Sequence, residues 1–232
     1  MSFNPFATIK NYSEMLNKIA IFNFISGIVI LYLLGKYVPE IKSILASYEW
    51  NIQILNKDFT IINIIIPFLI ALFSRMIKLH DRISDLFRIR FRYDINYILK
   101  PMALEINYSS NNLSEFLKKN RISLMRKCFY NYASTQDNKC EIELHYVHMT
   151  IDQLSWYWII LEIISLIFIA FIISLCYYTI ILILIFGISL ILSFILLFIA
   201  KYFCIKYTKI EVNLILEDTN RKNKIINNFY AL

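Results

Sequence analysis

Residues 156–203 form one apolar run of 48 residues, and this run constrains the fold more than any other feature of the chain. A helix needs about 20 apolar residues to cross a bilayer, so the run is too long for one crossing and has the length of two. Its most polar point near the middle is Tyr177-Tyr178-Thr179. The sequence therefore predicts a helical hairpin in a membrane, with its turn at these three residues.

Two further apolar segments lie earlier in the chain. Ile19 to Val38 and Phe59 to Lys78 each have the length of one crossing. The chain is 58% hydrophobic and only 18% charged, and Glu162 is the charged residue that lies well inside an apolar segment. We therefore expect an all-α, polytopic membrane protein with four transmembrane helices in two hairpins and a small helical cytoplasmic module. The first segment lacks a small-residue cleavage site, which favours a retained span over a signal peptide.

Basic residues flank these segments unevenly. Residues 36–58 hold three basic and three acidic residues, whereas six basic residues lie in 75–92 and none lies in the turn of the second hairpin. Because Lys and Arg mark the cytoplasmic side, both termini are expected there. The predicted parts are a cytoplasmic N-terminus (1–18), a first transmembrane hairpin (19–78), a cytoplasmic helical module (79–155), a second transmembrane hairpin (156–204) and a cytoplasmic C-terminal helix (205–232).

The module between the hairpins carries several helix signals. Apolar residues at a three/four spacing continue the second span outward to Phe87. A further helix is predicted from Asn112 to Tyr132, where Asn112 and Glu115 have the spacing of a capping box. Pro101 is expected to end the segment that precedes it.

Other stretches of the module allow more than one interpretation. In Arg88–Asp94, arginines at every second position would share one face of a strand, whereas in a helix only Arg88 and Arg92 would do so. Residues 140–149 fit a strand or a short helix. Thr150 with Gln153 resembles an N-terminal cap, so the third span is expected to start there.

Glu162 is the first candidate functional residue, because an ionisable group inside a span marks an ion pathway or proton relay by default. Ser165 lies one turn away. The structural alternative is a partly buried salt bridge to Arg75 and Lys201, which should lie at a similar depth. Asn63 and Pro67 are also pore or ion-path candidates, since a bent helix with a polar side chain can line a pore, although both residues also suit ordinary helix packing.

The basic residues of the module are candidates for binding anionic lipid or another anionic ligand. Juxtamembrane Lys and Arg attract anionic headgroups by about 1 kcal/mol each. A nucleotide signal is an alternative, while nucleic acid is disfavoured because no phosphate-binding glycine loop accompanies the charges. The candidates are Arg75, Arg82, Arg88, Arg90, Arg92, Lys118, Lys119, Arg121, Arg126 and Lys127.

Catalytic and metal motifs are weak in this chain. Arg75 and His80 fit a short ribonuclease-like spacing, and Cys140, His145 and His148 match no trusted zinc pattern. No nucleophile elbow, P-loop, HExxH or EF-hand motif is present. We expect no enzyme activity, no cofactor, no metal, and free thiols at the four cysteines.

Two short-looped helix pairs around a basic module resemble the small multi-pass membrane effectors of bacterial antiphage systems. These include four-helix pore-forming effectors beside second-messenger operons and the membrane proteins of retron and Kiwa systems. The resemblance covers the layout of the whole chain, and Lys78–Phe87 looks like a family signature. It implies a homo-oligomer in the inner membrane that opens a pore or disturbs the bilayer when a signal or soluble partner reaches its module. The alternative is a sensor or scaffold without a pore that recruits a soluble effector protein.

Overall fold

The structure is a computed structural model that describes residues 8–47, 51–54, 57–109, 112–135 and 139–232. Its elements in chain order are α1 (Tyr12–Tyr37), α2 (Pro39–Ala46), β1 (Asn51–Ile54), β2 (Lys57–Thr60), α3 (Ile62–Ile77), α4 (Leu79–Leu86), α5 (Ile89–Tyr93), α6 (Lys100–Glu105), α7 (Leu113–Leu124), α8 (Leu144–Cys176), α9 (Ile180–Glu217) and α10 (Thr219–Tyr230). The predicted helical class is confirmed. The short antiparallel hairpin β1–β2, in which Asn51 pairs with Thr60, is an addition that the sequence pattern did not predict.

Three of the described helices are long and apolar enough to cross a bilayer: α1, α8 and α9. The predicted second span is divided into α3 and α4. Only together are these two helices long and apolar enough to cross a bilayer, and they are bent by 58° relative to each other. The bend lies at Lys78, whose φ of 49° is left-handed, and its N–H bonds back to Arg75 O. The predicted outward continuation of this span is therefore a separate, bent helix.

The chain divides into two compact units. The first contains the described residues of Ser13–His80 and Ser155–Ala200, and the second contains those of Ala7–Tyr12, Asp81–Leu154 and Lys201–Leu232. The predicted division of the chain into membrane and cytoplasmic parts stays a prediction.

In the first unit, outward-facing side chains of α8 and α9 are apolar. Phe168, Ile191 and Phe198 are 52%, 64% and 71% exposed. Exposed aliphatic and aromatic surface of this extent marks contact with lipid or another protein. The hairpin turn lies at the predicted place, because α8 ends at Cys176 and Tyr178 has a left-handed φ of 51°.

The second unit has its own core of aliphatic and aromatic side chains. Leu99, Leu124, Ile215 and Phe229 are completely buried in it. Asp218 caps the N-terminus of α10, since its carboxylate accepts the Arg221 N–H at 2.8 Å. The apolar side chains Ile225 and Phe229 of α10 are buried in this core. Helix α10 is therefore part of the core of the second unit.

Pro101 does not end its segment, contrary to the prediction. The helical stretch runs without interruption from Ile89 to Glu105, and Pro101 lies at the start of α6. A proline ring ordinarily meets the carbonyl four residues before it. Residues 94–99 are π-helical, and the Lys100 N–H bonds to Ile95 O, so the widened turn makes room for the ring. Residues 89–94 are helical and not a strand, and Arg88 lies just before them with a left-handed φ of 52°.

The two predicted caps had different outcomes. Asn112 caps α7 as predicted: its side chain accepts the Glu115 N–H at 3.3 Å and donates to the Glu115 carboxylate at 2.7 Å. Thr150 does not start the third span, because α8 begins at Leu144 and the Thr150 hydroxyl donates to Tyr146 O at 3.0 Å. This i−4 bond lets Thr occupy a helix interior, where its spacing from Gln153 has no capping role.

Candidate functional site

Glu162 is the centre of a buried polar cluster in the first unit. Its side chain is 1% exposed on α8, and its neighbours Asn23 on α1, Ser74 on α3 and His80 on α4 are 1%, 4% and 2% exposed. These four residues are called the carboxylate cluster below. The four residues lie on four different helices, so tertiary packing brings them together.

The Glu162 carboxylate accepts hydrogen bonds from several directions. The Ser74 hydroxyl donates to Oε2 at 2.5 Å, and the Asn23 amide donates to the same oxygen. The His80 backbone N–H donates to Oε1 at 3.0 Å, and His80 Nδ1 lies 3.3 Å from that oxygen. Charge-assisted bonds of this kind are about twice as strong as neutral ones. The cluster therefore ties α8 to both α1 and α3.

The cluster is not completely satisfied. Asn23 Nδ2 also donates to Ser74 Oγ at 3.1 Å, but Asn23 Oδ1 is buried without a partner among the described residues. A buried acceptor without a donor costs about 1–3 kcal/mol. The packed arrangement therefore contains one unfavourable group at its centre.

The structure corrects the predicted partners of Glu162. Arg75 and Lys201 are exposed, and the carboxylate is bound by the neutral donors of the cluster instead of by these cations. His80 faces Glu162 and packs beside the Trp158 ring at 5.8 Å, so it is not an accessible base beside Arg75. The ribonuclease-like spacing consequently has no exposed histidine.

The other predicted pore candidates lie outside the cluster. The Ser165 hydroxyl donates to Leu161 O at 3.1 Å within its own helix. Pro67 is buried against Gly27, where an added Cβ would come within 3.0 Å of the Pro67 Cβ, so α1 and α3 approach closely there. Asn63 Oδ1 is buried without a described partner. Their roles in a pore stay predictions.

Most of the predicted basic candidates line two grooves of the second unit that share Phe91 and Arg121. One groove is lined also by Ser84, Asp85, Arg88 and Arg90, and the other also by Lys118, Lys119, Asn120, Ile122, Ser123, Arg126 and Lys127. We call the pair the basic groove. Arg75, Arg82 and Arg92 are exposed but do not line it.

Asp94 stands behind the basic groove. It is 4% exposed, and Arg121 Nη1 lies 2.5 Å from its Oδ2. Burial raises the pKa of Asp94, and Arg121 opposes that rise. Cys128 is fully buried in the core of the second unit, and burial raises the pKa of its thiol to about 12, so it is an unreactive core residue.

Sequence reasoning missed Asn23, Ser74 and His80 as partners of Glu162. A signal for them exists, because Asn23 follows the start of the first predicted span by four residues and Ser74 precedes the end of the second by four. Both positions lie at the depth expected for Glu162, six residues past Trp156.

Three described helices that are long and apolar enough to cross a bilayer, with exposed apolar side chains, indicate an α-helical membrane protein. The chain belongs to the YmfE protein family, whose model matches residues 11–227. It is similar to a protein of Escherichia coli strain K12 that bears the name "Uncharacterized protein YmfE". The two are 25% identical over 173 residues, which cover 68% of this chain and 67% of that protein. No solved structure matches the chain. The resemblance to antiphage effectors stays a prediction.

Proposed function

We propose that this protein is an oligomeric inner-membrane effector that forms a pore or disrupts the bilayer when its cytoplasmic module is triggered. In this proposal α1, the bent pair α3–α4, α8 and α9 are the four crossings, and both termini are cytoplasmic. The antiphage setting is supported by the layout of spans and module. The observation that carries the proposal is the carboxylate cluster.

An ionisable group is expensive at membrane depth and is retained mainly where it acts on an ion, a proton or a conformational state. Glu162 has no exposed surface of consequence, so the described state is closed around it. Separation of α1 or α3 from α8 would break the bonds from Asn23 and Ser74 and leave a carboxylate able to bind water. We therefore assign the carboxylate cluster the role of a latch that holds the resting state.

The unpaired Asn23 Oδ1 supports a latch that can be released. Because the closed cluster already contains one unfavourable acceptor, hydration of the opened cluster recovers part of the energy lost when its hydrogen bonds break. In a cluster that served only to stabilise the fold, the unpaired Asn23 Oδ1 would be a cost without a benefit.

The test compares two serines of the first unit. We expect Ser74→Ala and Glu162→Gln to increase dye leakage from proteoliposomes about tenfold over the wild type, because both weaken the latch. Ser189→Ala is the matched control, since its hydroxyl donates to Ile185 O at 2.7 Å within α9 and its leakage should equal that of the wild type.

Cells provide the second readout for the same variants. At matched expression, Glu162→Gln should depolarise the membrane more than the wild type does. Absence of leakage and of depolarisation in every folded variant would remove the pore proposal.

A second candidate function, a membrane scaffold that recruits a soluble effector protein, is favoured by the basic groove. Seven of its lining residues are cationic and one is acidic. Under this alternative, cells expressing any of the variants keep their membrane potential, and a soluble partner is retained with the membrane fraction.

The proposed orientation makes a labelling prediction. Cys176 is exposed beside the hairpin turn, whereas Cys128 and Cys204 are buried. With the turn outside, a membrane-impermeant maleimide should label intact cells at Cys176, and Cys176→Ser should abolish labelling, as read by mass spectrometry. Persistent labelling of the Cys176→Ser protein at Cys140 would instead place the module outside.

A further inference from the structure

We infer that the basic groove binds the phosphate of an anionic phospholipid headgroup. Seven of its lining side chains are cationic and one is acidic: Arg88, Arg90, Lys118, Lys119, Arg121, Arg126 and Lys127, against Asp85. This assignment is independent of the pore proposal, because it concerns a ligand of the second unit and not the latch of the first.

Arg121 is the fixed centre of this groove. Its Nη1 is held by the buried Asp94 at 2.5 Å, and its guanidinium lies over the Phe91 ring at 5.4 Å. The remaining N–H groups of Arg121 have no protein partner among the described residues. A guanidinium held from behind by a carboxylate loses little freedom when it binds a phosphate in front, and its geometry suits two phosphate oxygens.

Arg90 is held in a similar way. Its Nη2 donates to the Tyr130 hydroxyl at 3.3 Å, and its Nη1 lies 4.0 Å from Asp81 Oδ1. Its backbone N–H donates to the buried Ser84 hydroxyl at 3.2 Å, which fixes the chain just after the left-handed Arg88. Two anchored arginines and four lysine or arginine side chains of the 118–127 segment thus surround one concave surface.

Exposed apolar side chains near the groove favour a lipid over a soluble phosphate ester as its ligand. Ile122 lines the groove and is 70% exposed, and Leu86 and Phe87, directly before Arg88, are 76% and 62% exposed. Basic residues beside exposed large apolar residues are typical of surfaces that engage anionic lipid, where cations meet headgroups and apolar groups meet acyl chains. A site for a free phosphate ester gains nothing from three exposed apolar side chains.

The experiment uses the full-length protein purified in a zwitterionic detergent, with lipid adducts measured by native mass spectrometry. Dihexanoyl phosphatidylglycerol is titrated against dihexanoyl phosphatidylcholine. The double variant Arg126→Gln/Lys127→Gln should bind phosphatidylglycerol about 25-fold more weakly, since each of the two charges contributes about fivefold. These two residues are exposed, so the variant should keep the melting temperature of the wild type.

Arg92→Gln is the matched control, because Arg92 is exposed on α5 beside the groove but does not line it. We expect it to bind phosphatidylglycerol as the wild type does. If Arg92→Gln and the double variant lose the same affinity for phosphatidylglycerol, binding depends on net charge in general and the proposal of a site in the basic groove is wrong. Glycerol 3-phosphate and adenosine monophosphate form the soluble arm, and binding of either at the affinity of phosphatidylglycerol would overturn the lipid assignment.

Discussion

Replacement of Glu162 by leucine is expected to lower the free energy of unfolding by about 3 kcal/mol or more, the largest effect of any substitution in the first unit. Leucine leaves the Ser74 hydroxyl, the His80 N–H and one N–H of the Asn23 amide buried without an acceptor, and each orphaned group costs about 1–3 kcal/mol. Glu162→Gln should cost less, because its carbonyl oxygen still accepts. The measurement is equilibrium unfolding in mixed micelles of SDS and a mild detergent, followed by circular dichroism.

A second substitution separates loss of the cluster from a general packing defect. Ser74→Ala alone should cost about 1 kcal/mol, in the range of single hydrogen bonds inside membrane proteins. In the Glu162→Leu background its cost should vanish or change sign, because the alanine removes a hydroxyl that no longer has an acceptor. Additive effects of the two substitutions would show that Ser74 and Glu162 do not act as a pair.

Leakage measurements distinguish a cluster that holds a closed state from one that only stabilises the fold. If the cluster only stabilises, Ser74→Ala lowers the free energy of unfolding and leaves proteoliposomes tight. If it also holds a closed state, leakage increases under conditions in which the variant remains folded.

The features that depend on residues close together in the chain were predicted correctly from the sequence. The hairpin turn at Tyr177–Thr179 followed from a run too long for one crossing, and the Asn112 cap followed from a spacing that acts over a single turn. Both features are determined by residues near each other in the chain, so no knowledge of packing was needed.

Features set by backbone geometry were harder to predict. Lys78 adopts a left-handed conformation that glycine ordinarily takes, so nothing in its residue type marked the break between α3 and α4. Pro101 was read as a helix end because its effect on the turn before it is normally disruptive. A π-helical turn removes that conflict, and its presence depends on packing around residues 94–99.

The partners of Glu162 needed knowledge of which helices meet. A carboxylate near basic span ends is expected to pair with a cation, whereas the fold places Asn23, Ser74 and His80 around it. The close approach of α1 and α3 at Gly27 and Pro67 is part of the same packing arrangement. Such contacts join residues far apart in sequence and leave no periodic signal.

Glu211 gives the second unit an expected dependence of stability on pH. It lies on the part of α9 beyond Lys201, Lys206 and Lys209, outside the apolar stretch that would cross a membrane, and is 2% exposed. Burial raises its pKa from 4.5 to about 8, and Thr150 lowers it only in part. The Thr150 hydroxyl donates to Tyr146 O, and Glu211 Oε2 has no partner among the described residues.

Because the pKa of Glu211 is raised in the folded state, the folded protein favours the protonated form. The corresponding stabilisation is fully present below pH 4.5 and is lost as the pH rises through about 8. A rise of this size corresponds to about 5 kcal/mol. Unfolding of the wild type in detergent should therefore become markedly easier between pH 5 and pH 8.5.

Glu211→Gln isolates this carboxyl from the other titrating groups of the second unit. Glutamine resembles the protonated acid in shape and cannot ionise, so the variant should match the wild type near pH 5 and unfold at a temperature several degrees higher at pH 8.5. Asp152→Asn is a suitable control, because Asp152 is half-buried and accepts the Ile9 N–H at 3.4 Å. If wild type and Glu211→Gln show the same pH profile, Glu211 is not the source of the pH dependence and this prediction is wrong.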